Sequence, residues 1–140
     1  EIWRANWEIF KDHPFTGVGL HVNDHIIGRY YDQLGIIDGK ISHAHSNYLQ
    51  MLTGGGVLGL LAYLLLIGSF LLWTWRLYRT VPKTQTTIKS MALGSLLAQI
   101  FVHIGGLTEC NFTDGEVNHT LVVIWATTLA LSSKNDSYSP

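Results

Sequence analysis

Three stretches of this chain are long, apolar and free of charge: residues 57–75, 90–108 and 117–133, of 19, 19 and 17 residues. A bilayer core of ~30 Å is crossed by about 17–25 helical residues. The first stretch, VLGLLAYLLLIGSFLLWTW, is apolar all round, as a lipid-embedded helix is. The second carries Gln99 and His103 as its bulkiest polar groups, and in lipid both would have to face protein or a wet cavity. The third is polar at both ends and predicts a short, tilted or partly shielded span. A soluble core helix explains one such run, but a 140-residue globule has little room to hide three.

Ahead of the first span the pattern changes. Ile2, Trp3, Asn6, Trp7 and Phe10 recur at helical spacing. They predict an amphipathic helix on a membrane surface or on neighbouring helices, its tryptophans at headgroup level. Pro14 stops that helix, and Gly17 and Gly19 make a turn. From His21 to Lys40 the periodicity is weak, and Gly28, Gly35 and Gly39 punctuate what reads as a loop. Ser46 or Ser42 is placed to cap a short helix through NYLQML, which Gly54, Gly55 and Gly56 then interrupt or bend. The fold expected is all-α: polytopic transmembrane helices (residues 57–133) preceded by a loop region with an interfacial helix (residues 1–56). Residues 134–140 form a disordered tail.

Charge orients these elements. Residues 76–89, RLYRTVPKTQTTIK, hold four basic residues and no acid, whereas residues 105–116 hold three acids and no base. The positive-inside rule puts 76–89 and the tail in the cytoplasm. Residues 1–56, with six acids and four bases, then share the opposite, periplasmic side with 105–116. The formal net charge of −1 offers no basic field for nucleic acid. The single Cys110 excludes an internal disulfide and a cysteine-based zinc site. Glu1 is not an initiator, no signal peptide opens the chain, and the sequence reads as a piece of a longer protein.

The candidate chemistry crowds the mouth of the first span, in ISHAHSNYLQMLTGGG. Two readings stand: polar residues capping a helix where it meets water, or a site. Read as helical, His45 shares a face with Leu49 and Leu52, Asn47 and Gln50 lie on another, and His43 points away from His45. One imidazole then faces a cavity in the bundle. His-Ala-His also suggests metal, with His13, His21 and His25 near in sequence. A stable divalent site needs three or four ligands at fixed geometry, however, and one HxH is not that set. No metal or other cofactor is expected. Of the acids Glu109, Asp114 and Glu116, Glu109 is the strongest functional candidate, being nearest a membrane end.

IWRANWEIFKDHPFTGVGL, about 20 loose residues, and HAHSNYLQMLTGGGVLGLLAYLLL together resemble the O-antigen ligase and polymerase superfamily. That family carries a Trp-containing helix, a hPxxGxG turn, a variable loop and an HxHNxYLqxLxexGxxGxxxYl block opening a transmembrane helix. Trp3, His13, Pro14, Gly17, Gly19, His43, His45, Tyr48, Leu49, Gly56, Gly59 and Tyr63 fit it. Ser46 stands where Asn is usual, and Gly54 and Gly55 where acidic or small residues are. GLTECNF, residues 106–112, adds weaker support.

The resemblance implies a multi-pass inner-membrane glycosyltransferase acting at the periplasmic face. Its donor would be an undecaprenyl-diphosphate-linked glycan, and its acceptor lipid A core, a growing polysaccharide or protein. This chain would supply the carboxy-terminal part, packed against amino-terminal helices of the same protein. His45, the second of the pair, would take the acceptor proton. Imidazole titrates near neutrality, and arginine clamps phosphate oxygens. The family's loop arginine lies before the Trp matched by Trp3, outside this chain, so Arg4 and Arg29 stand in as diphosphate partners. His43, Asn47 and Glu109 complete the substrate-binding candidates. Ligase, polymerase and protein-glycosylating enzyme are not separated. The alternative is a non-catalytic membrane component: a transporter fragment with His45 and His103 lining a polar path, or a member that only binds the carrier lipid. The inverted repeat of broken helices that a transporter would favour is not found.

Overall fold

The computed structural model describes residues 1–37 and 43–136. Ser42, Lys40 and Gly39, and residues 137–140 of the expected tail, lie outside them. Five helices make up the fold: α1 (Ile2–Asp12), α2 (Val22–Gln33), α3 (Asn47–Thr80), α4 (Thr86–Gly105) and α5 (Gly115–Asp136). No strand occurs among the described residues. α1 packs on α2 and α3, α3 on α4, and α4 on α5.

α2 takes up residues 22–33 of the stretch expected as a loop over 21–40. Its inward stripe is Asn23, Ile27 and Tyr31, spaced four apart: Ile27 and Tyr31 are buried against Ala5 and Ile9 of α1, and Asn23 against Gln50 and Thr53 of α3. One of the three is polar, and Gly28 sits mid-helix at a cost of about 1 kcal/mol. Burial of the stripe outweighs both. Tyr30 ties the pair at its edge, donating from Oη to Asp12 Oδ2 at 2.9 Å. On α1 the buried residues are Ala5, Asn6 and Ile9, while Trp3 and Trp7 stay about half exposed, at 52% and 49%.

Ser46 caps α3, its Oγ accepting from Leu49 N at 3.4 Å. Inside α3 the helix breaks at Gly56, with φ 63° and ψ −163°. The break costs the helix two intrahelical bonds, those from Val57 to Thr53 and from Leu58 to Gly54. The turn after α1 replaces them. Val18 N donates to Thr53 O at 3.0 Å and Gly19 N to Gly54 O at 2.8 Å. Val57 N donates to Pro14 O at 2.9 Å and Leu58 N to Phe15 O at 3.3 Å. The HPFTGVG turn is thus inserted into the helix, and its backbone takes over the groups the break releases. Gly17 and Gly56 permit the approach. A Cβ on Gly17 would come within 2.5 Å of Gly54 C, and one on Gly56 within 2.3 Å of Phe15 C.

Beyond the break, α3 continues for residues 57–80, about 36 Å at 1.5 Å per residue. α3 and α4 are the two helices among the described residues that are long and apolar enough to cross a membrane. Their outer faces expose Leu58, Leu65, Leu72, Phe101 and Ile104, which lipid or another helix would cover. Between them lies a polar seam: Gln99 Nε2 donates to Thr74 Oγ1 at 3.1 Å, and Tyr63 Oη meets His103 Nδ1 at 3.2 Å. Gln99 and His103 therefore face protein. Lys89 closes the α3–α4 connection by donating to the carbonyls of Tyr78 and Val81 at 3.0 and 2.9 Å. This puts a cation at the carbonyl end of α3. The third apolar stretch lies in α5, whose helix runs on through residues 134–136 of the expected tail. α5 is long enough but less apolar, with Asn118, His119, Thr127 and Thr128 along it.

Candidate functional site

The mouth of α3 is assembled from three segments distant in sequence. The 106–114 loop is fastened first. Asn47 N donates to Gly106 O at 2.8 Å and Glu109 O at 3.2 Å, Asn47 Nδ2 donates to Asn111 Oδ1, and Asn47 Oδ1 accepts from Phe112 N at 2.9 Å. Gly106 leaves space for that amide, since a Cβ there would lie 2.1 Å from Asn47 Nδ2. Asn47 is fully buried. Both ends of its amide are engaged by the loop, which gives Asn47 a fastening role.

α2 is fastened next. Asn23 and Gln50, both buried, exchange amide bonds of 3.0 and 3.2 Å. Asn23 also donates to Thr53 Oγ1 at 3.1 Å, and Gln50 Nε2 reaches Asp24 Oδ1 at 3.2 Å. Buried amides are costly unless paired, so this network fixes the register of α2 on α3.

His45 lies between these fastenings. It precedes α3 rather than sharing a helical face with Leu49 and Leu52, and its φ of 46° is left-handed. A non-glycine residue held there costs on the order of 1–3 kcal/mol. Its neighbours impose the conformation: Ala44 N donates to Gln50 Oε1 at 3.1 Å, and Ser46 N to Cys110 Sγ at 3.3 Å. The Cys110 thiol is pushed up by burial, against backbone N–H groups of Ser46, Ala44 and His45 that pull it down. A thiol so raised is protonated at neutral pH; it accepts from Ser46 N and donates to Gln50 Oε1 at 3.9 Å.

The His45 ring is one-third exposed, and its Nδ1 lies 3.0 Å from Glu109 Oε1. The His43 ring is 4.2 Å away between centroids, tilted by 55°. The expected divergence of His43 from His45 therefore fails, because neither residue is helical. His43 and Glu109 also line a cleft of about 290 Å³, together with His21, Asp24, Gln50, Cys110, Thr113 and Asp114. Arg29 lies elsewhere, in a cavity of about 550 Å³ with His13, Val22, Ile26 and Tyr30. Arg4 is exposed on α1. Among the described residues no group of three or more His, Cys, Asp or Glu side chains is arranged to hold a metal ion. Asp24, Gln50 and Cys110 line the cleft without being site candidates from the sequence. Gln50 carried a signal, an amide where the apolar helix begins; Asp24 carried none.

The family model described as O-antigen ligase matches residues 1–64. The match takes in α1, the inserted turn, α2, His43, His45, Asn47 and the helix break. It ends before His103 and Glu109. No curated protein and no solved structure matches the chain.

Proposed function

Starting from residues 1–64 as an O-antigen ligase-like segment, the mark of a ligase- or polymerase-type glycosyltransferase, we propose that this chain works in transfer from a lipid carrier. The glycan leaves undecaprenyl diphosphate and passes to lipid A core, a growing polysaccharide or protein. The observation that carries this reading is the His45–Glu109 pair at the mouth of α3. Glu109 accepts from Nδ1–H, which fixes the tautomer and leaves the Nε2 lone pair for a proton. The acceptor hydroxyl oxygen forms a bond to the anomeric carbon while its proton passes to Nε2. The bond from that carbon to the diphosphate oxygen breaks, and its electron pair departs with the carrier phosphate. Glu109 then faces an imidazolium and stabilises it.

The departing charge calls for arginine. Arg29, in a cavity walled partly by Val22 and Ile26, suits an amphipathic phosphate; Arg4 is the more exposed alternative. His43, in the wall beside His45, meets the acceptor. This chemistry asks for no metal. Transfer by the intact protein is expected to persist in excess chelator, and its complete loss, restored by one added divalent ion, would contradict the scheme.

α3, α4 and α5 span the bacterial inner membrane in this proposal, with residues 76–89 cytoplasmic and His45 periplasmic. The four-to-zero basic bias of 76–89 supports that orientation. In a Cys110→Ser background, an impermeant thiol reagent applied to intact cells is expected to label Ile37→Cys, at a position 85% exposed, and to spare Thr86→Cys. Labelling in the opposite sense would invert the topology.

A further inference from the structure

Toward its Thr80 end, α3 touches α5 where Phe70 stacks on Trp125, ring centroids 4.1 Å apart and planes within 5°. Beside that stack, Ser69, Phe70, Trp73 and Leu129 line an apolar cleft of about 220 Å³. Arg76 continues the same face of α3. Ser69, Trp73 and Arg76 stand at i, i+4 and i+7, and Arg76 follows Trp73 by about 4.5 Å of rise. Arg76 is exposed, and its guanidinium has no hydrogen-bond or ion-pair partner among the described residues. We propose that the cleft and Arg76 together form a site for one anionic phospholipid, an acyl chain lying in the cleft and the phosphate on the guanidinium.

An apolar cleft and a free cation on one helical face call for a ligand that is apolar in its body and anionic at one end. A helix packed over the cleft would fill the apolar half and leave the guanidinium unpaired. Guanidinium binds phosphate oxygens bidentately and stays charged beside lipid. The surroundings favour an anion too. Arg79 and Lys83 are exposed, and residues 76–89 hold no acid. The last turn of α5 adds Lys134 and Asp136, one charge of each sign. The other cations are placed differently from Arg76. Lys89 is held by the carbonyls of Tyr78 and Val81, and Arg79 lies over the Trp75 ring at 5.5 Å. Trp75, 45% exposed, and Tyr78 mark this level as the headgroup zone, where amphipathic aromatic rings gather. Basic pockets between spans hold anionic headgroups at that depth. A chain in the cleft also braces α5 against α3 beyond the single aromatic stack.

The site rests on α3 and α5 crossing the bilayer, as in the proposed function, and not on glycan transfer. The intact protein in detergent is offered equal amounts of dioleoyl phosphatidylglycerol and dioleoyl phosphatidylcholine, which share acyl chains and differ in net charge. Bound lipid is counted by native mass spectrometry. Phosphatidylglycerol is expected to be retained over phosphatidylcholine, and Arg76→Gln to weaken its retention about tenfold, the scale of a lost bond to a charged group. Arg79→Gln, the same loss of charge on another face, is expected to retain it as the wild type does. Ser69→Phe, which fills the cleft, is expected to weaken both lipids. Equal retention of the two lipids by the wild type, equal losses in Arg76→Gln and Arg79→Gln, or undiminished binding in Ser69→Phe overturns the site. So does the absence of bound lipid, the result if another segment of the protein covers the cleft. Release of the protein from membranes by alkaline carbonate without detergent overturns the spanning reading and the site with it. Selective retention by a protein that transfers no glycan supports the site and counts against transfer alone.

Discussion

Gly56→Ala is expected to collapse the yield of folded protein, whereas Gly55→Ala, one residue earlier, is expected to be tolerated. The two glycines look alike in sequence and differ in every physical respect that matters. Gly56 holds φ 63° and ψ −163°, and an added Cβ would strike the Phe15 carbonyl carbon at 2.3 Å. That neighbour is backbone and cannot swing aside. Relief means withdrawing the inserted turn, which releases the four interlocking bonds from Val18, Gly19, Val57 and Leu58. A straightened α3 would regain its own bonds from Val57 to Thr53 and Leu58 to Gly54, but Val18 N, Gly19 N, Pro14 O and Phe15 O would lose their partners, each at about 1–3 kcal/mol where buried, a large share of the ~5–15 kcal/mol stability of an ordinary domain. A Cβ on Gly55 meets nothing within 4 Å and removes a helix-destabilising glycine, a gain of up to about 1 kcal/mol. Monodisperse yield and thermal midpoint in detergent distinguish the two variants. Equal behaviour would mean that the turn and the break do not depend on each other.

The second large effect is chemical. His45→Ala is expected to slow glycan transfer by roughly 10²–10⁴-fold, the range general-base catalysis supplies. That is about 2.7–5.4 kcal/mol at 1.36 kcal/mol per decade. Folding should change little, because His45 is one-third exposed and the 44–46 segment is fixed by backbone bonds from Ala44 and Ser46, not by the imidazole. Relief of the left-handed strain would offset any lost contact only if glycine were substituted, so His45→Gly serves as the folding control. Donor binding is expected to stay near wild type. A normal initial rate at normal abundance would return His45 to a helix-boundary role.

These two positions also mark what the sequence disclosed. The glycine run after NYLQML announced a break, and Ser46 announced a cap, because both are local effects of residue type. Apolar run lengths disclosed α3 and α4 for the same reason. α2 was hidden because its stripe contains Asn23, an amide buried by partners 27 and 30 positions away, Gln50 and Thr53. Periodicity in hydrophobicity does not register a polar residue whose burial is offset by distant partners. The posture of His45 was hidden too: a left-handed residue outside the helix follows from Gln50 and Cys110 gripping its flanks, not from any spacing in HAHSNYL. The pairing of His45 with Glu109 spans 64 residues and depends on Asn47 fastening the loop. Proximity to a membrane end raised Glu109 as a candidate without saying what it would touch. Arg4 and Arg29 stand in for the family's loop arginine, and neither lines the cleft beside His45.

The central claim is that His45 and Glu109 act as one proton-handling unit in glycosyl transfer. The direct measurement is the initial rate of transfer from an undecaprenyl-diphosphate glycan by the intact protein. Wild type, His45→Ala, Glu109→Gln and the double variant are compared at matched folded amounts. The wild type is expected to transfer glycan, His45→Ala to lose roughly 10²–10⁴-fold, and the double variant to be no slower than His45→Ala, because residues acting as a unit are not additive. A wild type that transfers nothing, a His45→Ala variant near the wild-type rate, or losses that multiply in the double variant would contradict it.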